Sequence, residues 1–137
     1  MDGQLIVDSE DLSAGRSGRV LVVDDNATSR RQMAMAVRKL GHDWVEAAGG
    51  EEALALLKPQ DFDLILLDIM MPGMDGFEVL ENLRKDWRLS SIPVLVISGM
   101  DEDMTSVARA IELGATDFLP EDFNPVLFRA RVEACIE

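Results

Sequence analysis

Leu64-Ile65-Leu66-Leu67-Asp68-Ile69-Met70-Met71-Pro72-Gly73-Met74-Asp75-Gly76 decides how the rest of the chain is read. Four aliphatic residues carry one carboxylate, Asp68, to their end, and a turn rich in Pro and Gly follows at once. An apolar run of this kind suits a strand buried on both faces, as in a parallel sheet. A charge left among apolar side chains is costly unless something pairs with it. Asp68 is therefore expected at the mouth of the sheet, with its partners supplied by other segments.

Upstream, residues 19–23 form a second aliphatic run, which stops at Asp24-Asp25-Asn26. Asn26 or Thr28 is placed to cap a helix over 28–40, with Met33, Val37 and Leu40 on one face and Gly41 as its stop. A strand over 43–47 follows, then a helix over 51–57. Glu51 and Glu52 suit that helix's positive end, and Pro59 closes it. Downstream of the central stretch the pattern predicts a helix over 76–85 and a strand over 94–97. Pro93 opens that strand and Ser98-Gly99 end it. A helix over 103–113 stops at Gly114, and a short strand spans 116–119. The last helix starts at Pro125, a favoured first position.

Strand and helix thus alternate five times with short connections. This is the pattern of a doubly wound α/β fold, a five-stranded parallel sheet with helices on both faces. Ligands of such sheets bind beyond the carboxyl ends of the strands. Asp24, Asp25, Asp68 and Ser98 all fall on that edge.

The chain has 137 residues, enough for one domain with a proper core. Residues 1–18 are read as a leader outside the domain, although their Leu5-Ile6-Val7 patch is able to dock, and residues 19–137 as the domain itself. A net charge of −13 argues against nucleic acid as a partner, since that surface needs a basic patch. No apolar run approaches the roughly 18 residues of a membrane span, and no signal-peptide pattern opens the chain. A single cysteine, Cys135, allows no internal disulfide. These features together point to a cytoplasmic protein without membrane contact.

If the first and third strands are neighbours, Asp24, Asp25 and Asp68 share one pocket. Three carboxylates at close quarters raise one another's pKa unless a cation joins them. Hard oxygen ligands in so small a group fit Mg²⁺. A carboxylate beside such a cation is a competent nucleophile toward phosphoryl groups and forms an acyl phosphate.

Leu21-Val22-Val23-Asp24-Asp25, the run from Asp68 to Gly76, and Val96-Ile97-Ser98-Gly99 resemble the receiver domains of two-component response regulators. Gly114-Ala115-Thr116-Asp117-Phe118-Leu119-Pro120 is similar to their fifth-strand segment. The resemblance runs from about residue 19 to residue 136. It implies a flavodoxin-like receiver fold with strand order 2-1-3-4-5. It also implies that Asp68 accepts a phosphoryl group from a histidine kinase or phosphotransfer protein. Asp25, Asp68 and the Met70 backbone carbonyl would bind Mg²⁺ directly, and Asp24 mainly through water. Ser98 would hydrogen-bond the phosphoryl oxygen. Phe118 would act as a switch that remodels the last two helices for an output domain or partner, a homodimer through those helices included. Met70 and Met100 would line the approach to the acyl phosphate, where apolar side chains slow its hydrolysis. Such a domain is not an enzyme beyond its own phosphorylation and dephosphorylation.

One departure cuts at this scheme. Receivers carry Lys-Pro after the fifth strand, whereas this chain has Glu121-Asp122. The lysine would bring three carboxylates and a bound Mg²⁺ to neutrality, while Glu121 leaves them two charges negative. None of the three lysines, Lys39, Lys58 and Lys85, lies near this loop, and Arg30 is the nearest substitute in sequence terms. A non-proline cis bond costs about 2.5–4 kcal/mol, so a trans Glu121-Asp122 bond is expected.

Three readings therefore stand side by side. They are a phosphorylatable receiver, a degenerate receiver acting by protein contact without phosphate, and a Mg²⁺-dependent phosphohydrolase. The last usually places nucleophile and acid two residues apart after the first strand, a spacing that Asp24-Asp25-Asn26 lacks. Among the remaining residues, His42 is expected at the surface and Trp87 beneath the loop before the fourth strand. The last helix, with Arg129 and Arg131 among apolar residues, resembles one that leads into a longer protein.

Overall fold

A computed structural model of the chain describes residues 17–99, 104–122 and 124–136. Five strands and five helices alternate: β1 Arg19–Val23, α1 Ala27–Lys39, β2 Asp43–Ala47, α2 Gly50–Leu57, β3 Leu64–Asp68, α3 Gly76–Lys85, β4 Val94–Ser98, α4 Met104–Glu112, β5 Asp117–Pro120 and α5 Pro125–Ile136. All neighbouring strands are parallel, and their order is β2-β1-β3-β4-β5, the 2-1-3-4-5 arrangement expected. Asp103, expected in the fourth helix, lies outside the described residues.

Period-two alternation distributes the strand side chains to two cores. Leu21, Val23, Ile65, Leu67, Val94 and Val96 face α2, α3 and α4 through Leu57, Phe77, Leu80 and Ala110. Val20, Val22, Leu64, Leu66, Leu95 and Ile97 face α1 and α5 through Met33, Val37, Phe128 and Val132. Residues 20–23 and 64–67 are almost wholly buried, as continuous aliphatic runs in a parallel sheet require. The first and third helices are punctuated by the residues that flank them. The Asn26 side chain accepts the Ser29 N–H to cap α1, and Gly41 ends that helix at φ +93°. Asp75 and Glu78 form a reciprocal capping box on α3. No helix among the described residues is long and apolar enough to cross a membrane.

Two expectations are corrected. His42 is buried, with its ring fully covered. Its Nδ1 accepts the Gly18 N–H at 2.9 Å, so the proton sits on Nε2, which meets the Glu133 carboxylate at 2.9 Å. The ring therefore ties the segment before β1, the start of β2 and the end of α5 into one joint. His42→Ala strands both partners and should cost about 1–3 kcal/mol in urea melts. Glu133→Gln, which still accepts from Nε2, should cost less than half of that.

Trp87 does not pack under the loop before β4 but stands 86% exposed. The turn after α3 closes with Leu89 N–H and Ser90 N–H on the Asp86 carbonyl, and this points Leu89 inward in its place. Arg88 from the same turn donates to the Leu57 carbonyl and locks the turn to the end of α2.

Candidate functional site

The site is assembled at the carboxyl edge of the sheet by the ends of β1, β3, β4 and β5. Asp68 is the last residue of β3 and pairs in register with Ile97, so Ser98 lies one step further along the neighbouring strand. The turn after Asp68 needs its glycine. A Cβ on Gly76 would meet the Asp68 carbonyl at 2.6 Å and the Ile69 Cα at 2.7 Å, while its N–H donates to the Ile69 carbonyl at 2.8 Å. The chain thus closes on itself directly behind the carboxylate.

Asp24, Asp25 and Asp68 each bring one carboxylate oxygen into a group in which all lie within 4.8 Å of one another. Asp24 is buried, Asp68 half-buried and Asp25 exposed. Asp24 Oδ1 accepts the Asn26 N–H at 2.9 Å, and Asp68 Oδ1 accepts the Met70 N–H at 3.3 Å. Burial pushes the Asp68 carboxyl up to about 8, helped by the charges of Asp24 and Asp25. Burial likewise raises Asp24, and the charges of Asp25 and Glu121 add to it. With the three oxygens this close, Asp68 keeps its proton more readily than a free carboxyl when no cation neutralises the group. No Arg or Lys among the described residues forms an ion pair with any of the three. Oxygen donors this close and without a counter-cation fit a hard divalent ion such as Mg²⁺.

Arg30 does not replace the missing lysine. Its Nη1 donates to the Asp24 backbone carbonyl at 2.9 Å, and its Nε pairs with Glu46 at 3.0 Å, while Arg31 reaches the same Glu46 at 3.3 Å. The guanidinium braces the β1–α1 turn from behind. Glu46 as its anchor was not foreseen; the only signal was two adjacent arginines at the start of α1 facing an acid in β2.

Glu121 stands where the sequence placed it, just after β5, with its N–H on the Ser98 carbonyl at 2.8 Å. Its carboxylate lies over Gly99, with Oε1 3.8 Å from where a Cβ there would sit, and its charge reaches Asp24. Although exposed to solvent, it lies close enough for its charge to act on Asp24. No peptide among the described residues is cis, Glu121-Asp122 included.

Ser98 Oγ makes a long bond to the Gly99 carbonyl at 3.4 Å, which leaves the hydroxyl easy to redirect. Phe118 is half-buried against the core beside Val96. Arg131 holds it from α5: the guanidinium sits 5.2 Å over the ring, donates to the Phe118 carbonyl, and pairs with Asp117 at 3.6 Å. This clamp was missed because it joins a strand and a helix through side chains that no local pattern links. Met70 is 59% exposed at the mouth of the site, and Met100 lies outside the described residues.

The description "response regulator receiver domain" matches residues 20–133. Among curated relatives, a probable transcriptional regulator, ycf27, of Porphyridium aerugineum is 35% identical over 118 residues, covering 86% of this chain and 48% of that protein. The alkaline phosphatase synthesis transcriptional regulatory protein PhoP of Bacillus subtilis is 36% identical over 118 residues, again 86% of this chain and 48% of the relative. The chain spans about half the length of the curated relatives it matches. Among solved structures, a putative response regulator from Chloroflexus aurantiacus superposes with a TM-score of 0.83 at 27% identity, covering 88% of this chain and 98% of that one.

Proposed function

We propose, from the premise that this chain belongs to the response regulator receiver domain family, that it accepts one phosphoryl group on Asp68 from a phosphohistidine donor. The observation that carries the reading is the convergence of Asp24, Asp25 and Asp68 at the carboxyl edge of the sheet, where no basic side chain among the described residues pairs with them. An Asp68 oxygen attacks phosphorus, an O–P bond forms as the donor's P–N bond breaks, and the imidazole nitrogen keeps the electron pair. Asp24, Asp25, Asp68 and the Met70 carbonyl would hold Mg²⁺. When bound, that ion neutralises the carboxylates and the incoming phosphoryl charge. Ser98 then turns from its long bond on Gly99 to the phosphoryl oxygen, and Phe118, released from Arg131, passes the change to α4 and α5. The protein is modified once per cycle and carries a signal; it is not a turnover enzyme.

The transcriptional role in the relatives' names belongs to longer proteins, of which this chain spans about half. For this strongly acidic chain we assign a histidine kinase or phosphotransfer protein upstream, and a protein output through α4 and α5 downstream, in the cytoplasm. A domain over residues 19–137 that leads into a longer protein suits that arrangement.

A second reading is favoured by one observation, the Glu121 carboxylate beside Gly99 with its charge acting on Asp24. There the domain works by protein contact and phosphate plays no part. Incubation with a small-molecule phosphodonor and Mg²⁺, read by intact mass, separates the two. The first reading expects a single phosphoryl group on the wild type and none on Asp68→Asn. An unmodified wild type would leave only the contact reading standing.

A further inference from the structure

A groove of about 450 Å³ runs between α1 and α5. Met35, Leu40, Pro125 and Phe128 give it an apolar lining, and Arg31 and Lys39 stand along its α1 side. We propose that the chain's own leader occupies it, with Leu5-Ile6-Val7 in the groove and the acids that follow them, Asp8, Glu10 and Asp11, against Lys39 and Arg31.

Charge complementarity is the first argument. The protein carries a net charge of −13, so an apolar groove edged by two cations is an exceptional part of its surface. The leader has the opposite character, an aliphatic triplet set among four acids (Asp2, Asp8, Glu10 and Asp11) against one Arg16. Lys39 forms no ion pair among the described residues, and Arg31, 67% exposed, shares Glu46 with Arg30. Both are open to a second carboxylate.

The second argument is where the leader joins the domain. Ser17 Oγ donates to the Gly41 carbonyl at 3.2 Å, and the Gly18 N–H is held by His42. The leader therefore departs from the C-terminal end of α1, beside Lys39 and Leu40, which form one lip of the groove. From Leu40 back to Arg31 is about 14 Å along the helix. The ten steps from Ser17 to Val7 reach about 33 Å when extended, so the triplet arrives in the groove with slack. A tether this short holds its end at an effective concentration on the order of millimolar, so contacts too weak to bind a free peptide suffice.

The test is methyl NMR on the full chain. The expected result is a set of cross-peaks between the Ile6 or Val7 methyls and the Met35 methyl, unchanged by tenfold dilution. Ile6→Asp should abolish them and move the Met35 methyl resonance while the sheet resonances stay in place. Lys39→Glu, or raised salt, should weaken the cross-peaks severalfold. The proposal is overturned if the Met35 methyl is indifferent to Ile6→Asp. It is equally overturned if the contacts fade on dilution, which puts a second copy in the groove, or if the cross-peaks are absent and the Met35 methyl moves only on adding a kinase, which puts a partner there.

Discussion

Asp68→Asn should take up no phosphoryl group, and in metal-free buffer at pH 8 it should resist urea better than the parent chain by about 2–3 kcal/mol. The loss of modification follows from removing the nucleophile. The gain in stability follows from the crowding of three carboxylates within 4.8 Å. Folding raises the Asp68 carboxyl to about 8, against an unfolded value near 3.9. Between those two limits the folded chain binds more protons than the unfolded one, so stability falls as pH rises. The stabilising effect of the proton on Asp68 is complete below about pH 4 and is lost as pH climbs through about 8. Asp24 is shifted the same way and steepens the trend.

The amide that Asp68→Asn introduces carries no charge and can donate to Asp24 at any pH, so the variant should show a shallower profile. The full shift would correspond to a larger energy than stated, but Asp68 is only half-buried and water at the mouth screens part of it. Mg²⁺ should close the gap from the other side, by binding the folded parent more tightly than the variant. Urea melts of both chains at pH 5 and pH 8, with chelator and with Mg²⁺, measure all of this. A parent chain with the same profile as Asp68→Asn would mean that the carboxylates are hydrated and independent.

Much of the fold could be read locally. The runs at 20–23, 64–67 and 94–97 are buried on both faces, and Asn26, Gly41 and Asp75 punctuate helices by contacts within four residues. The acid cluster was legible for the same reason: each aspartate ends a strand, and parallel order brings strand ends together. Contacts that span the chain escaped. His42 looked like a surface residue because its cover, Glu133, is 91 residues away. Arg30 reads from sequence as the nearest substitute for the missing lysine, and only the position of Glu46 on β2 shows it held elsewhere. For Trp87 and Leu89 the choice was which side of one turn faces inward, and a shift of two residues reverses it.

Glu121→Lys should move two ligands in opposite directions, and that divergence tests the site electrostatically. In the parent chain Glu121 adds a fourth carboxylate, close enough for its charge to act on Asp24. Mg²⁺ alone is attracted by every one of those charges, so replacing Glu121 by a cation should weaken Mg²⁺ binding severalfold. A phosphoryl mimic such as beryllofluoride, bound on Asp68 in saturating Mg²⁺, brings negative charge and acceptor atoms. For that ligand the lysine removes a repulsion and adds a charge-assisted hydrogen bond, which contributes about 1.5–3 kcal/mol. The mimic should therefore bind roughly ten- to a hundredfold more tightly, and the aspartyl phosphate should last correspondingly longer. Glu121→Gln separates the two causes, since it removes the repulsion without supplying the new bond and should fall between the parent and the lysine variant. Because the glutamate is exposed to solvent, both effects should shrink as salt rises. If Mg²⁺ and mimic affinities instead shift together, or neither shifts, the Glu121 carboxylate acts through the shape of its loop and its charge plays no part in the site.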